Sequence, residues 1–244
     1  MTPSRALVVQ LCDDDGPARV GEWLRTAGLD LDVVRPDLGA ELPDLSRYDG
    51  LVVLGGPQAA YDELPYLDAV MALLRRAVAD RVPTLGICLG GQLLARALGG
   101  VVRRGERGPE LGGLLVAKRD DAAEDPVFRG LPFTPDVIQW HYDEIAELPP
   151  SAVLLASSPL YANQAFRVGD CAWGTQFHIE TTPAMVEFWA EQDREQATAL
   201  GFDVDAALAG AVAAHPDVEE AWAPAMARYA GVVHDAAERR TAVR

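Results

Sequence analysis

Short, uninterrupted apolar runs alternate with helix-period stripes through the first hundred residues, and this alternation limits the fold more than any other feature of the chain. Ala6 to Leu11 reads as a buried strand. Val20, Trp23, Leu24 and Ala27 then share one helical face, and Gly28 supplies the stop. Leu29 to Val34 and Gly50 to Gly55 read as the second and third strands. Leu67, Val70, Met71, Leu74 and Val78 stripe a helix from Leu64 to Arg81, which Pro83 ends. Thr84 to Cys88 is a short strand feeding a helix from Leu89 to Leu98, closed by Gly99 and Gly100. Strands that alternate with helices pair in parallel through right-handed crossovers. Helices on both faces explain why these strands are apolar throughout. The expectation is an α/β fold with a mostly parallel sheet. Ligands of such sheets bind at the carboxyl ends of the strands, which singles out the Gly55-Gly56-Pro57 turn and Cys88.

The second half is richer in strand patterns: Leu114 to Ala117, Val137 to His141, Val153 to Ala156, Gln164 to Val168, and Ala172 to His178. From Pro183 onward the chain is helical in pattern and rich in alanine and acids. No linker, repeat or low-complexity tract divides it. The partition expected is one domain over residues 1–200, with residues 201–244 as its helical C-terminal extension. In that extension Ala206, Leu208, Val212, Trp222, Met226 and Tyr229 suit packing on the domain, a dimer contact or a cover over the site.

Charge narrows the partners. With 21 Lys and Arg against 37 Asp and Glu, the formal charge is −16. Such a surface repels phosphate backbones and anionic lipid, so neither nucleic acid nor membrane is an expected partner. Three scattered cysteines, Cys12, Cys88 and Cys171, without a CxxC pair make neither a disulfide framework nor a zinc ribbon. Free thiols suit a reducing cytoplasm. Met1 to Val9 lacks the pattern of a signal peptide, and no apolar run approaches the ~20 residues of a membrane span.

The strongest local motif is Gly86-Ile87-Cys88-Leu89-Gly90-Gly91-Gln92. It ends a strand and opens a helix, the setting of a nucleophile elbow with cysteine in the reactive position. The turn strains the nucleophile's backbone and leaves no room for side chains at Gly86 and Gly90. It also sets the thiol at a helix N-terminus, which favours the thiolate. Taken alone, the motif also fits a buried structural cysteine. A nucleophile of this kind needs a base, and the base an orienting group. His178 and Glu180, two residues apart in an extended segment, project to one side and supply both. Gly56, past a core strand, offers a backbone N–H that pairs with the N–H of Leu89 as an oxyanion hole. A plain strand-ending turn explains Gly55-Gly56-Pro57 equally well on its own.

In combination and in order, these three elements resemble the class I glutamine amidotransferases, the triad family that includes GMP synthetase. Further fragments resemble its stand-alone, GMP-synthase-like branch: Tyr61-Asp62, Trp140-His141-Tyr142-Asp143, Leu155 to Ser158, and Gln164-Ala165-Phe166. The resemblance spans roughly residues 6 to 190. It implies a flavodoxin-like three-layer sandwich with a mostly parallel central sheet, a β-rich flank and a helical C-terminal extension. It implies that Cys88 attacks a γ-glutamyl amide to give a thioester, that Gly56 and Leu89 hold the oxyanion, that Gln92 helps hold the substrate, and that His178 activates water. No cofactor or metal is implied. His141 and Asp143 become candidate substrate contacts, because the second-half loops reach the same pocket in this family. One departure is clear: the family has His-Pro-Glu where this chain has His178-Ile179-Glu180.

Cys12, past the first strand, is expected to be a small packing residue, and Cys171 carries no assigned role. His215 and His234 read as surface residues of the tail, and the tryptophans as core. Three functions share this scaffold. A glutamine amidotransferase subunit, or glutaminase, would pass ammonia to a separate synthetase, since the chain has no P-loop pattern of its own; an exposed apolar rim at the Cys88 pocket would favour it. A stand-alone hydrolase of γ-glutamyl amines or peptides would use the same triad without a partner. A non-catalytic regulatory or binding protein would keep the scaffold with an unreactive Cys88. The Gln92 position and the His-x-Glu spacing favour the glutamine-type branch over peptidase or chaperone-like relatives.

Overall fold

A computed structural model describes residues 4–242. Its first half follows the alternation in the sequence: β1 (Arg5–Val9), α1 (Ala18–Thr26), β2 (Asp30–Val34), β3 (Gly50–Val53), α2 (Pro65–Ala79), β4 (Thr84–Ile87) and α3 (Leu89–Ala97). The second half holds β5 (Val101–Arg104), β6 (Glu110–Leu115), β7 (Ala117–Lys118), β8 (Asp136–His141), β9 (Asp143–Glu147), β10 (Ala152–Ser157), β11 (Ala165–Val168) and β12 (Ala172–Thr175). The helices α4 (Pro183–Ala199) and α5 (Val204–Ala242) complete it.

Eight strands form the central sheet in the order β2-β1-β3-β4-β12-β11-β10-β7. The run from β2 to β12 is parallel, and the remainder is antiparallel. The leading order 2-1-3-4 is the flavodoxin-like one. Successive residues of a strand face opposite ways, so the sheet serves two cores. Ala6, Val8, Val52 and Leu85 pack with α1, α4 and α5, whereas Leu7, Val9, Leu51 and Val53 pack with α2 and α3. This is a three-layer sandwich.

Several strand limits differ from the sequence reading. The first strand stops at Val9, and the strand before Cys88 stops at Ile87 because Cys88 leaves extended geometry. The last sheet strand stops at Thr175, after which His178 pairs with Ile138 of β8 in a separate antiparallel bridge. The strand read from Leu114 begins four residues earlier, at Glu110. Its glycines hid it. A Cβ on Gly113 would run into the backbone of Gly210, so this strand is bare where α5 crosses it. β5 and β9 had no apolar signature, because each pairs its edge through charge. Arg103 meets Glu144 at 3.0 Å and Arg104 meets Asp143 at 3.8 Å.

The tail packs on its own domain through α5. Trp222 lies edge-on to Phe128 and against Phe177, and its Nε1–H donates to the carbonyl of Asp136 at 2.9 Å. The two tail histidines are tied into the fold, His215 buried and His234 half-buried, which corrects the reading of both as surface residues. His215 is buried and hydrogen-bonded to Thr181 Oγ1, and His234 bridges Ser4 and the carbonyl of Ala27. Long-range docking of α5 covers both, and no local pattern carries that information.

Tyr229 is fully buried, and its hydroxyl reaches the carbonyls of Leu51 at 2.9 Å and Pro83 at 3.0 Å, the starts of β3 and β4. Tyr229→Phe leaves those carbonyls without the hydroxyl at unchanged packing. It should cost about 1–3 kcal/mol, lowering Tm by roughly 2–4 °C per kcal/mol for a chain of this size. Thermal unfolding of the two proteins checks this.

Candidate active site

Cys88 has φ 48° and ψ −108° and caps the N-terminus of α3. A non-glycine residue held there carries strain of order 1–3 kcal/mol. Close backbone approach enforces it. A Cβ on Gly86 would sit 2.5 Å from the carbonyl oxygen of Gly90, one on Gly90 would collide with the carbonyl of Val53, and one on Gly91 with that of Thr175. The expected requirement for small residues at 86 and 90 is therefore seen, and Gly91 adds a third. Two backbone bonds pin the elbow: Cys88 N–H donates to Thr175 at 2.9 Å, and Gln92 N–H donates to Cys88 at 2.8 Å.

The register Thr175↔Ile87 between β12 and β4 then delivers the partners. The chain leaves β12 alongside Cys88, and the bridge to Ile138 holds His178 in place. His178 Nδ1 bonds Glu180 Oε1 at 2.5 Å, and Glu180 Oε2 accepts from the backbone N–H of Ile179 at 2.8 Å. A proline at position 179 has no such N–H to give, so the departure from His-Pro-Glu adds a donor to the carboxylate. Trp189 of α4 lies against the His178 ring, centroids 4.8 Å apart.

Burial is nearly complete, and it sharpens every charge. It opposes charge on His178, but Glu180 and Cys88 outweigh it and push the imidazole well above its ordinary value. It opposes charge on Glu180 as well. There the His178 charge and the hydrogen bonds from His178 and the backbone prevail and hold the carboxyl below its usual range. The third member of this cluster is Asp15, from the loop after β1. Burial first, and the Glu180 charge second, push its carboxyl well above the usual range. The charges on His178 and Glu180 support each other, and Asp15 is the member pushed toward its neutral form. Asp15, His178 and Glu180 offer atoms within 4.8 Å of one another. The sequence pattern does not single out Asp15. The one signal it carries is the run Asp13-Asp14-Asp15 at the carboxyl end of a strand.

A cleft of about 550 Å³ opens over this cluster. Cys88, His178, Gly56, Gln92 and His141 all line it, and Leu89 adjoins: a Cβ on Gly56 would sit 3.3 Å from Leu89 Cδ2. Leu89 opens α3, so its N–H has no acceptor within the helix. Gln92 donates to Gln176 at 3.2 Å, and Gln176 reaches Cys88 Sγ at 3.8 Å, so Gln92 buttresses the thiol as well as facing the cleft. His141 is buried, bonded to the Asp143 carbonyl at 2.8 Å and to Glu110 at 3.1 Å. Asp143 and Cys12 also line the cleft, and burial with Asp15 beside it pushes the Cys12 thiol far up. Arg104, Trp189 and Asp193 are also among its walls. The sequence reading misses all three as site residues and marks only Trp189, as packing.

Comparison with known proteins identifies the family. The family profile described as glutamine amidotransferase class-I matches residues 19–186. The chain is 33% identical over 142 residues to γ-glutamyl peptidase 4 of Arabidopsis thaliana, covering 57% of each protein. It thus spans just over half the length of that relative. It is 36% identical over 160 residues to one subunit of the glutamine-hydrolysing GMP synthase of Sulfolobus acidocaldarius, covering 64% of this chain and 79% of that one. The solved structure of a glutamine amidotransferase from Thermotoga maritima superimposes with a TM-score of 0.83 at 30% identity, covering 94% and 99% of the two chains.

Glu180→Gln removes the charge that overcomes burial at His178. The ring's titration midpoint, followed by NMR, should fall by roughly one to three units. A midpoint left unchanged would mean that Glu180 does not charge the imidazole.

Proposed function

The chain belongs to the class-I glutamine amidotransferase family, and we propose that it is a cysteine-nucleophile amidohydrolase of γ-glutamyl amides, with glutamine as the simplest substrate. The observation that carries this reading is that Cys88 and His178, from the adjoining ends of β4 and β12, line one cleft, with Glu180 bonded to His178 behind them.

Nε2 of His178 takes the thiol proton as Cys88 Sγ attacks the γ-carbonyl carbon, forming a C–S bond and an oxyanion. The N–H groups of Gly56 and Leu89 receive the oxyanion. With Nδ1 committed to Glu180, Nε2 of His178 gives its proton to the amide nitrogen. The C–N bond breaks, and ammonia or an amine leaves a γ-glutamyl thioester. Neutral His178 then takes a proton from water, the hydroxide adds to the thioester, the C–S bond breaks and glutamate departs. Gln92 and His141, both on the cleft wall, are the substrate contacts of this reading. No step needs a cofactor. Three free, buried cysteines suit a reducing compartment, here taken as the cytoplasm. Among the described residues no helix is long and apolar enough to cross a membrane.

Two versions of the reaction differ in the leaving group. In the first, the chain supplies ammonia and docks a separate synthetase over the cleft. The GMP synthase relative supports this version, and so do Phe188 and Tyr61, which line the cleft while remaining exposed. In the second, the chain is a stand-alone hydrolase that accepts larger γ-glutamyl conjugates. The γ-glutamyl peptidase relative supports that version, as does the extension of the cleft beyond Cys88 to Arg104, Tyr142 and Gln196.

Glutamate release by the purified chain from glutamine, and from a panel of γ-glutamyl amines and peptides, separates them. Fast release from a conjugate supports the hydrolase. Slow release throughout, with Cys88 still labelled by an electrophilic glutamine analogue, supports the ammonia supplier. Cys88→Ala should abolish release by about 10⁴-fold or more, and failure of the analogue to label Cys88 overturns the reading.

A further inference from the structure

The mechanism above gives Asp15 no task, yet the fold holds it against the triad. It is 2% exposed, and its Oδ1 has no hydrogen-bond partner among the described residues. A Cβ on Gly55 would collide with its Oδ2 and lie 3.1 Å from His178 Cε1, so this glycine, two residues past β3, leaves the space that lets carboxyl and imidazole approach. Asp15 lies outside residues 19–186, the span matched by the family profile.

The groups that bear on it can be named. Glu180 and His178 face it from the segment after β12, with Cys88 beyond His178. Asp14 and Cys12 lie on its own loop, and Asp14 Oδ2 accepts from Trp189 Nε1 of α4 at 3.1 Å. Arg19 of α1 donates its backbone N–H to the Glu180 carbonyl, but its guanidinium goes to the His215 carbonyl and to Glu219. One imidazolium therefore stands against two buried carboxyl groups. Two such groups cannot both ionise at close range in a dry site. Glu180 has the imidazolium and a backbone N–H, so the proton resides on Asp15.

We propose that Asp15 is a positioning residue that acts through Glu180, its neutral carboxyl donating a hydrogen bond to the Glu180 carboxylate. The inference rests on the triad reading. A donor on Glu180 draws off part of the charge that Glu180 directs at His178. The imidazolium then stays acidic enough to release its proton to the leaving nitrogen. Without the donor, Glu180 holds the His178 proton more tightly and proton transfer slows.

The test compares Asp15→Asn, which keeps a neutral donor, with Asp15→Leu, which keeps volume alone. Asn should hold kcat within about threefold, and Leu should lower it by about tenfold or more with KM unchanged. Leu should also raise the His178 midpoint, read by ring NMR, while Asn leaves it near the wild-type value. Equal behaviour of the two variants in kcat and in the midpoint overturns the proposal. A second readout stands even where the Leu variant does not fold. Wild-type Asp15 keeps its proton in the folded chain at pH values where the unfolded chain has lost it, so this group's contribution to stability falls as pH rises above about 4. Asp15→Asn lacks this loss. Its Tm advantage should be near zero around pH 4 and grow toward pH 7, and a flat difference overturns the proposal. The triad reading fails separately: iodoacetamide would then alkylate wild-type Cys88 at a rate unchanged by His178→Ala.

Discussion

The first turn of α3 presses against the backbone ends of β3, β4 and β12, and the active edge of the sheet depends on that contact. Gly90 meets the carbonyl of Val53, Gly91 that of Thr175, and Gly86 the carbonyl of Gly90. Helix and strands approach closer than any Cβ would allow. The chain can make that approach only by turning sharply at Cys88, whose positive φ is the consequence. Strain at one residue is tolerated because backbone hydrogen bonds on either side and two apolar cores below hold the frame rigid. The thiol is thereby fixed at a helix N-terminus on a rigid support, which a mobile loop would not provide.

The second half of the chain brings His178 and Glu180 to that support. β12 comes late in the sequence but pairs in parallel with β4, so residues about ninety positions from Cys88 emerge beside it. The segment from Gln176 to Glu180 then leaves the sheet and pairs with β8. α4 closes the far side with Trp189 against His178. Each enclosing element removes water, and charges inside a dry site act on one another strongly. Hence the burial that should discharge His178 is overcome by its neighbours.

Much of this was legible in the sequence. Apolar runs marked β1, β3 and β4, because parallel strands between helices have no polar face, and β2, at the sheet edge, kept Asp30 and Asp32. The elbow was legible from Gly86 and Gly90, and the pairing of His178 with Glu180 from their spacing, because these depend on local geometry. What stayed hidden depends on distant neighbours. β5 and β9 pair through Arg103, Arg104, Asp143 and Glu144, residues that alone suggest an exposed loop. β6 is interrupted by glycines that make sense only under α5. His215 and His234 look solvated until α5 docks. Asp15 reads as one of three acids in a turn, and only the fold brings it to a glutamate 165 residues further along the chain.

Glu180 itself explains why a buried carboxylate is tolerated here. An ionised carboxylate has about four acceptor sites, and leaving them empty in a dry site is costly. His178 fills one at Oε1, and the N–H of Ile179 fills another at Oε2. A proline at 179 would restrict the backbone before Glu180 but remove the second donor. With isoleucine, conformational restriction is exchanged for a hydrogen bond, while the apolar side chain is fully buried and shields the carboxylate from water. The departure from the family motif therefore leaves the triad side chains in place and changes the solvation of its acid. It favours a Glu180 that stays ionised, and that in turn keeps His178 charged beside Cys88.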